Sequence, residues 1–316
     1  MKHLTFQLYE SARSFGTVLT MMLLLQLSVI NCSGQQKPAE NIGQDLKVFM
    51  ARREIVPFHS KIMNLDFEIQ IGFPVSYFTN EKLYPAIFCT DANRNMDLVT
   101  NIANIMSFPG QEIPEILTVG IGYPIKGMED WGAWRYRDLT PTAVPGASER
   151  WRQTLISISG RKDLQVLSGG SESFLEFIGK ELIPFIESKY RVIRKDHTLM
   201  GYSLGGLFTL YAMFKSPETF SRYFAGSPSI GWDNGILFQY EKEYSAAHND
   251  LPVRLFMCVG SLDSQVTQEN MQEMFELLNS RRYKGLRLSV QVFENETHTS
   301  CYGAGFSRAF RFLFGK

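Results

Sequence analysis

An α/β sandwich on a mostly parallel sheet is the fold class that this 316-residue chain predicts. Three observations carry it. Short apolar runs without alternation recur along the chain, as strands buried on both faces require. Segments with helical spacing separate them, the order that a parallel sheet with covering helices produces. One run passes into a helical pattern through Gly201-Tyr202-Ser203-Leu204-Gly205-Gly206, with glycines two before and two after a serine.

The elements follow in chain order. Residues 1–34 read as an export signal rather than fold: Lys2, His3 and Arg13 are basic, and residues 18–30 are an apolar stretch interrupted by Thr20, Gln26 and Ser28. That stretch is short for a membrane-spanning helix of about 20 residues. Cleavage after Gly34 and lipidation of Cys32 are the two expected outcomes, so the chain is exported, whether periplasmic, secreted or lipid-anchored. Residues 35–60 read as a polar leader. A single domain is expected over 61–316.

Within that domain, Leu65, Phe67, Ile69 and Ile71 alternate with Asp66, Glu68 and Gln70, the signature of a half-buried strand. Residues 84–89 form a continuous apolar run, and Met96, Val99, Ile102, Ala103 and Met106 then mark a helical face. Residues 115–120 are the next buried strand. Residues 124–170 show little periodicity and read as a long insertion loop over the site, holding Trp131, Trp134 and Trp151. A helix is expected over 171–190, with strands at 197–200, 223–225, 254–259 and 286–293. Further helices follow the serine turn and cover 269–281.

Several chemistries are disfavoured. Basic and acidic residues number 32 each, so no basic face for nucleic acid is expected. Gly120 and Gly122 fail a dinucleotide fingerprint, since Ile125 stands where the third glycine belongs and Pro124 where the helix should begin. No C-x-x-C or H-E-x-x-H occurs, so no zinc and no cofactor is implied. Cys89 and Cys258 sit in apolar runs and are expected to be buried.

What remains is nucleophilic catalysis. A strand–Gly-x-Ser-x-Gly–helix segment is the nucleophile elbow, the tight turn that lifts a serine above an α/β-hydrolase sheet. A serine hydroxyl needs a base to take its proton, and the base needs an orienting acid. In this fold the three arrive in the order Ser, Asp or Glu, His, each just after a strand. Here that order is Ser203, Asp263, His298. Of the five histidines, His298 is the one that follows a strand at the correct edge. Glu269, Glu294 and Glu296 compete with Asp263 for the acid. One oxyanion donor is expected at the Leu204 amide. The second comes from the loop at Asp91, Ala92 or Asn93, with Tyr123 as competitor.

Four stretches point to a family: residues 201–206, Ser-Pro-Ser-Ile-Gly-Trp-Asp at 227–233, Arg-Tyr-Arg-Asp-Leu-Thr-Pro at 135–141, and Thr-His-Thr-Ser at 297–300. Together they resemble the putative esterase family of α/β-hydrolases, which includes ferric-siderophore esterases. More distantly the chain is similar to S-formylglutathione hydrolase and feruloyl esterases. The resemblance spans roughly 60–316 and implies Ser203 as nucleophile, His298 as base and Asp263 as acid. The family often has Asp-Gly in its first oxyanion loop, where this chain has Asp91-Ala92. The expected function is a serine hydrolase cleaving a small-molecule carboxylic ester through an acyl-enzyme, with a siderophore or other aromatic-acid ester as substrate. Arg135, Arg137, Trp134, Tyr123 and Trp232 are the expected substrate contacts. An acyltransferase using the same acyl-enzyme, and a non-catalytic ligand-binding relative, are the alternatives.

Overall fold

The computed structural model of this protein describes residues 53–315. The export signal at 1–34, Cys32 and most of the leader lie outside the described residues. Eight strands form one sheet: β1 (Arg53–Ser60), β2 (Leu65–Gly72), β3 (Tyr84–Cys89), β4 (Leu117–Gly122), β5 (Val192–Tyr202), β6 (Arg222–Gly226), β7 (Arg254–Gly260) and β8 (Arg287–Phe293). Their spatial order is β1-β2-β4-β3-β5-β6-β7-β8. β1, β2 and β4 pair antiparallel, and every pairing from β4 to β8 is parallel. This is the α/β-hydrolase arrangement expected above.

Burial follows the apolar patterns. All six residues of β3 and of β4 are buried, because helices cover both faces of the parallel strands. Successive residues feed opposite cores. Phe88, Leu199 and Ala225 face one, while Ile87, Cys89, Met200 and Phe224 face the other. The first core also takes helix α6 (Leu204–Lys215), whose apolar residues on every side make it a fully enclosed element. The second is closed by α1 (Ala92–Ser107) and the C-terminal helix α9 (Cys301–Phe314), through Val99, Phe306, Phe310 and Leu313.

Two expectations need correction. The end of the polar leader is strand β1, in register with β2 from Arg53 opposite Gly72 to Ser60 opposite Leu65. Its charges and Pro57 suit an edge strand, where no ladder bond is needed on the outer side. Val56 and Phe58 alone pack on the core, too few for the alternation to stand out. Residues 124–170 are not an irregular loop: they hold α2 (Met128–Asp138) and α3 (Pro145–Ser159). These two short helices and the segment after them form a small cluster of their own through Ala133, Leu155, Leu164 and Val166, while Trp131, Trp134 and Tyr136 are half-buried against the main core, so neither helix shows a long core-facing stripe. The helix expected over 171–190 is present, continuous from Ser171 to Lys189 as α4 (Ser171–Phe177) and α5 (Ile183–Lys189) with a π turn at Ile178–Leu182 between them. Helix α7 (Ile236–Ala247) and α9 were not anticipated, and α8 (Gln265–Arg281) begins four residues earlier than expected.

Candidate active site

The serine turn is built by its glycines. A Cβ on Gly201 would lie 2.1 Å from the carbonyl oxygen of Gly205, and one on Gly205 would lie 2.4 Å from Thr90 Oγ1. Neither site admits a side chain while strand and helix stay this close. Between them Ser203 adopts φ 60° and ψ −116°, a backbone state that costs about 1–3 kcal/mol and persists only where the surroundings impose it. The imposition is visible. The Ser203 amide donates to the Gly226 carbonyl at 2.8 Å, and its carbonyl accepts from Leu207 at 3.0 Å and Ser229 at 3.2 Å. The elbow is thereby fixed to the end of β6.

His298 sits between β8 and α9. Its Nδ1 lies 2.8 Å from Asp263 Oδ2. Asp263 Oδ1 accepts from the Ser264 amide at 2.7 Å. The Asp263 side chain is 5% exposed and the imidazole 39%, so the acid is enclosed while the ring reaches solvent. The two loops are bonded to each other: Leu262 donates to the Glu296 carbonyl at 2.9 Å, and Asn295 to Ser261 Oγ at 2.8 Å. Behind them Thr297 and Ser300 bond reciprocally at the start of α9. The Tyr202 ring, beside Ser203 in the chain, meets the imidazole edge-on at 5.6 Å. Among the described residues Asp263 is the carboxylate bonded to this ring; Glu269 instead accepts from Gln265. The other described histidines are elsewhere: His59 pairs with Asp66, His197 is buried in β5, and His248 stacks on Tyr244.

Leu204 is the first residue of α6, and a first-turn amide has no intrahelical acceptor. The same holds for Ala92 and Asn93 at the start of α1. Tyr123 is no longer a competitor, because its amide donates to Asn93 Oδ1 at 2.9 Å. The left-handed backbone of this loop falls on Asp91 (φ 60°, ψ 39°), a residue type that tolerates it, and Ala92 is helical. Alanine in place of the family's usual glycine therefore carries no strain.

Ser203 and Leu204 open into a cavity of about 600 Å³. Its walls come from α2 (Arg135, Tyr136), α3 (Arg150, Trp151) and the turn at Trp232. Tyr136 stacks on Trp151 at 5.9 Å and meets Trp232 edge-on at 5.3 Å, giving an aromatic wall. Trp232 Nε1 donates to Thr142 Oγ1 at 3.0 Å. Of the five expected contacts, Arg135 and Trp232 line this cavity. Arg135 is a buried partner of Asp91, with Nε at 2.7 Å from Oδ1 and Nη2 at 3.0 Å from Oδ2. Burial alone would lower its pKa, but the adjacent Asp91 carboxylate outweighs this and raises it.

The other three are not brought to the serine. Arg137 is bidentate to Asp138 (2.6 and 2.9 Å), and the Tyr123 hydroxyl donates to the same carboxylate at 2.9 Å. Burial, then the Asp138 charge, pushes the Tyr123 hydroxyl well above its ordinary pKa. Arg137, Tyr123 and Trp134 line a separate cavity of about 210 Å³ beside His59. A third hollow of about 750 Å³, around Glu172, Lys215 and Tyr240, holds none of the candidate residues. Sequence reasoning passed over Tyr136, Trp151 and Arg150 as contacts. Cys89, Cys258 and Cys301 are free thiols and buried. Among the described residues no group of three or more His, Cys, Asp or Glu side chains is arranged to hold a metal ion.

Comparison with known proteins adds the following. Residues 146–311 match the family described as Putative esterase. The chain is 32% identical over 238 residues to the ferri-bacillibactin esterase of Bacillus subtilis (strain 168), covering 72% of this chain and 78% of that protein. It superimposes on the crystal structure of the BES protein from Bacillus cereus with a TM-score of 0.70 at 26% identity, covering 90% of this chain and 99% of the other. An IroE-like serine hydrolase from Shewanella oneidensis matches with a TM-score of 0.70 at 25% identity, over 83% of this chain and 80% of that one.

Proposed function

The chain belongs to the putative esterase family and is a carboxylic-ester hydrolase, and on that premise we propose that it works through an acyl-enzyme on Ser203. One observation carries the reading: His298 Nδ1 is held 2.8 Å from an enclosed Asp263 carboxylate, beyond the same sheet edge that presents the Ser203 elbow. Nδ1–H donated to Asp263 leaves Nε2 as the free base. Nε2 takes the Ser203 proton as the hydroxyl attacks the ester carbonyl. The Leu204 and Ala92 amides receive the developing oxyanion. His298 then protonates the departing alcohol, and the same base activates water to release the acid.

The substrate we infer is an ester of an aromatic acid of the siderophore type. The three-ring wall and the Arg150 guanidinium, which has no carboxylate partner among the described residues, suit a flat anionic acyl group. The B. subtilis relative, by its name, acts on ferri-bacillibactin. Any iron would arrive as part of the substrate.

Two measurements test this. A fluorophosphonate probe is expected to label wild type and to leave Ser203→Ala unlabelled; an unlabelled wild type would end the acyl-enzyme reading. A ferric tricatecholate ester is expected to be hydrolysed with higher kcat/KM than p-nitrophenyl acetate, and the reverse preference would discard the siderophore assignment.

A further inference from the structure

The carboxylate of Asp91 is turned the wrong way for its position. Asp91 precedes the first residue of α1, where an aspartate ordinarily accepts from the second or third amide of its own helix. Here its side chain makes no capping bond. It points across to α2 instead, accepting from Arg135 Nε (2.7 Å), Arg135 Nη2 (3.0 Å) and Trp131 Nε1 (3.1 Å). Both partners of the ion pair are enclosed, with side chains 9% and 3% exposed. Arg135 also stacks over the Trp131 ring at 4.8 Å. The loop that carries Asp91 touches the elbow: a Cβ on Gly205 would meet Thr90 Oγ1 at 2.4 Å and Asp91 Oδ2 at 3.3 Å.

We propose that Arg135, with Trp131, is a positioning residue for the oxyanion hole, and that the helical insertion controls turnover through it. This rests on the Ser203 esterase reading. Two physical effects combine. First, the Arg135 fork holds the Asp91 carboxylate off the start of α1, so the Asn93 amide that a capping aspartate would occupy stays open to an oxyanion beside that of Ala92. Second, a bare carboxylate beside the first turn of α6 opposes negative charge forming on the substrate, and the guanidinium neutralises it. The Nε/Nη2 edge of Arg135, whose motif suggested a substrate ligand, is thus spent on Asp91.

Steady-state hydrolysis of a p-nitrophenyl ester by the full chain tests this. R135Q is expected to lower kcat about 10–100-fold, a part of the loss that follows removal of one oxyanion donor, with KM within about threefold. A trifluoromethyl ketone, which forms the tetrahedral oxyanion, loses affinity by a matching factor. The double variant D91N/R135Q is expected to turn over faster than R135Q per fluorophosphonate-titrated site, because the freed negative charge is gone; a merely structural role for Arg135 predicts recovery of stability alone, with kcat per titrated site the same in both variants. Trp131→Phe keeps the ring, removes one donor and is expected to lower kcat about threefold, so the proposal stays open to refutation if the Arg135 variants do not fold. An unchanged kcat with raised KM in R135Q makes Arg135 a substrate ligand and overturns the positioning role alone. A wild type that hydrolyses no ester removes the esterase reading, and the positioning role with it.

Discussion

The elbow and the insertion face each other across one cavity and are built by opposite means. At residues 201–206 the backbone does the work: two glycines without room for a Cβ flank a serine bent to φ 60°, which is pinned by the Gly226 carbonyl of β6 and the amides of Leu207 and Ser229. At residues 124–170 side chains do it. Two short helices are held by a few apolar contacts, by the Arg135–Asp91 pair and the Tyr123 hydroxyl on Asp138, and by the stack of Tyr136 on Trp151. A backbone device tolerates almost no substitution, whereas a side-chain device can be altered one contact at a time. The chemistry would thus stay constant while the cavity wall varies.

Breaking the elbow should have the largest effect. Gly201→Ala places a methyl against the Gly205 carbonyl, which no rotamer relieves, and is expected to destabilise the protein by about 4 kcal/mol or more. Urea unfolding monitored by circular dichroism would show it, and wild-type stability in this variant would mean the turn is looser than drawn. Next comes Asp263→Asn, which keeps the side-chain volume and loses the charge that orients the imidazole. Turnover is expected to fall about 10³–10⁴-fold with the fold intact. A loss below tenfold would hand the acid's role to another carboxylate.

The insertion should answer differently. Arg137→Gln leaves Asp138, which has 0% side-chain exposure, without its cation and is expected to cost about 3 kcal/mol in stability. Because Arg137 lies in the other cavity, kcat of the folded fraction should hold, and a large kcat drop would tie that cavity to the chemistry. The smallest change is expected of Trp232→Ala. It removes one ring of the wall and should raise KM for an aromatic ester about fivefold while sparing acetate esters, in line with the stacking lost. Equal effects on both esters would make Trp232 a general support.

Much of this was legible along the chain, and the reason differs residue by residue. Ser203 and its glycines interact within six positions, so their meaning survives in a linear reading. His298 and Asp263 were found because the fold places each just after a strand, and strands of continuous apolar residues are easily seen. Of the carboxylates weighed for that role, Asp263 is the one bonded to the His298 ring among the described residues. Arg135 and Arg137 show the opposite case. They are two residues apart on one helix, which turns them about 200° from each other. One meets Asp91 and the other Asp138, and nothing in their spacing says which faces the serine.

The amino-acid order alone thus determined the sheet class, the serine turn and the likeness to an esterase family, since these depend on local periodicity and on glycines that act on their immediate neighbours. Only the folded chain decided the edge strand at 53–60, the two helices of the insertion and the cavity wall of Tyr136, Trp151 and Trp232. It also decided the turning of Asp91 toward Arg135. Each of these rests on contacts between residues far apart in sequence, whose free energy depends on distance and enclosure that no linear pattern encodes.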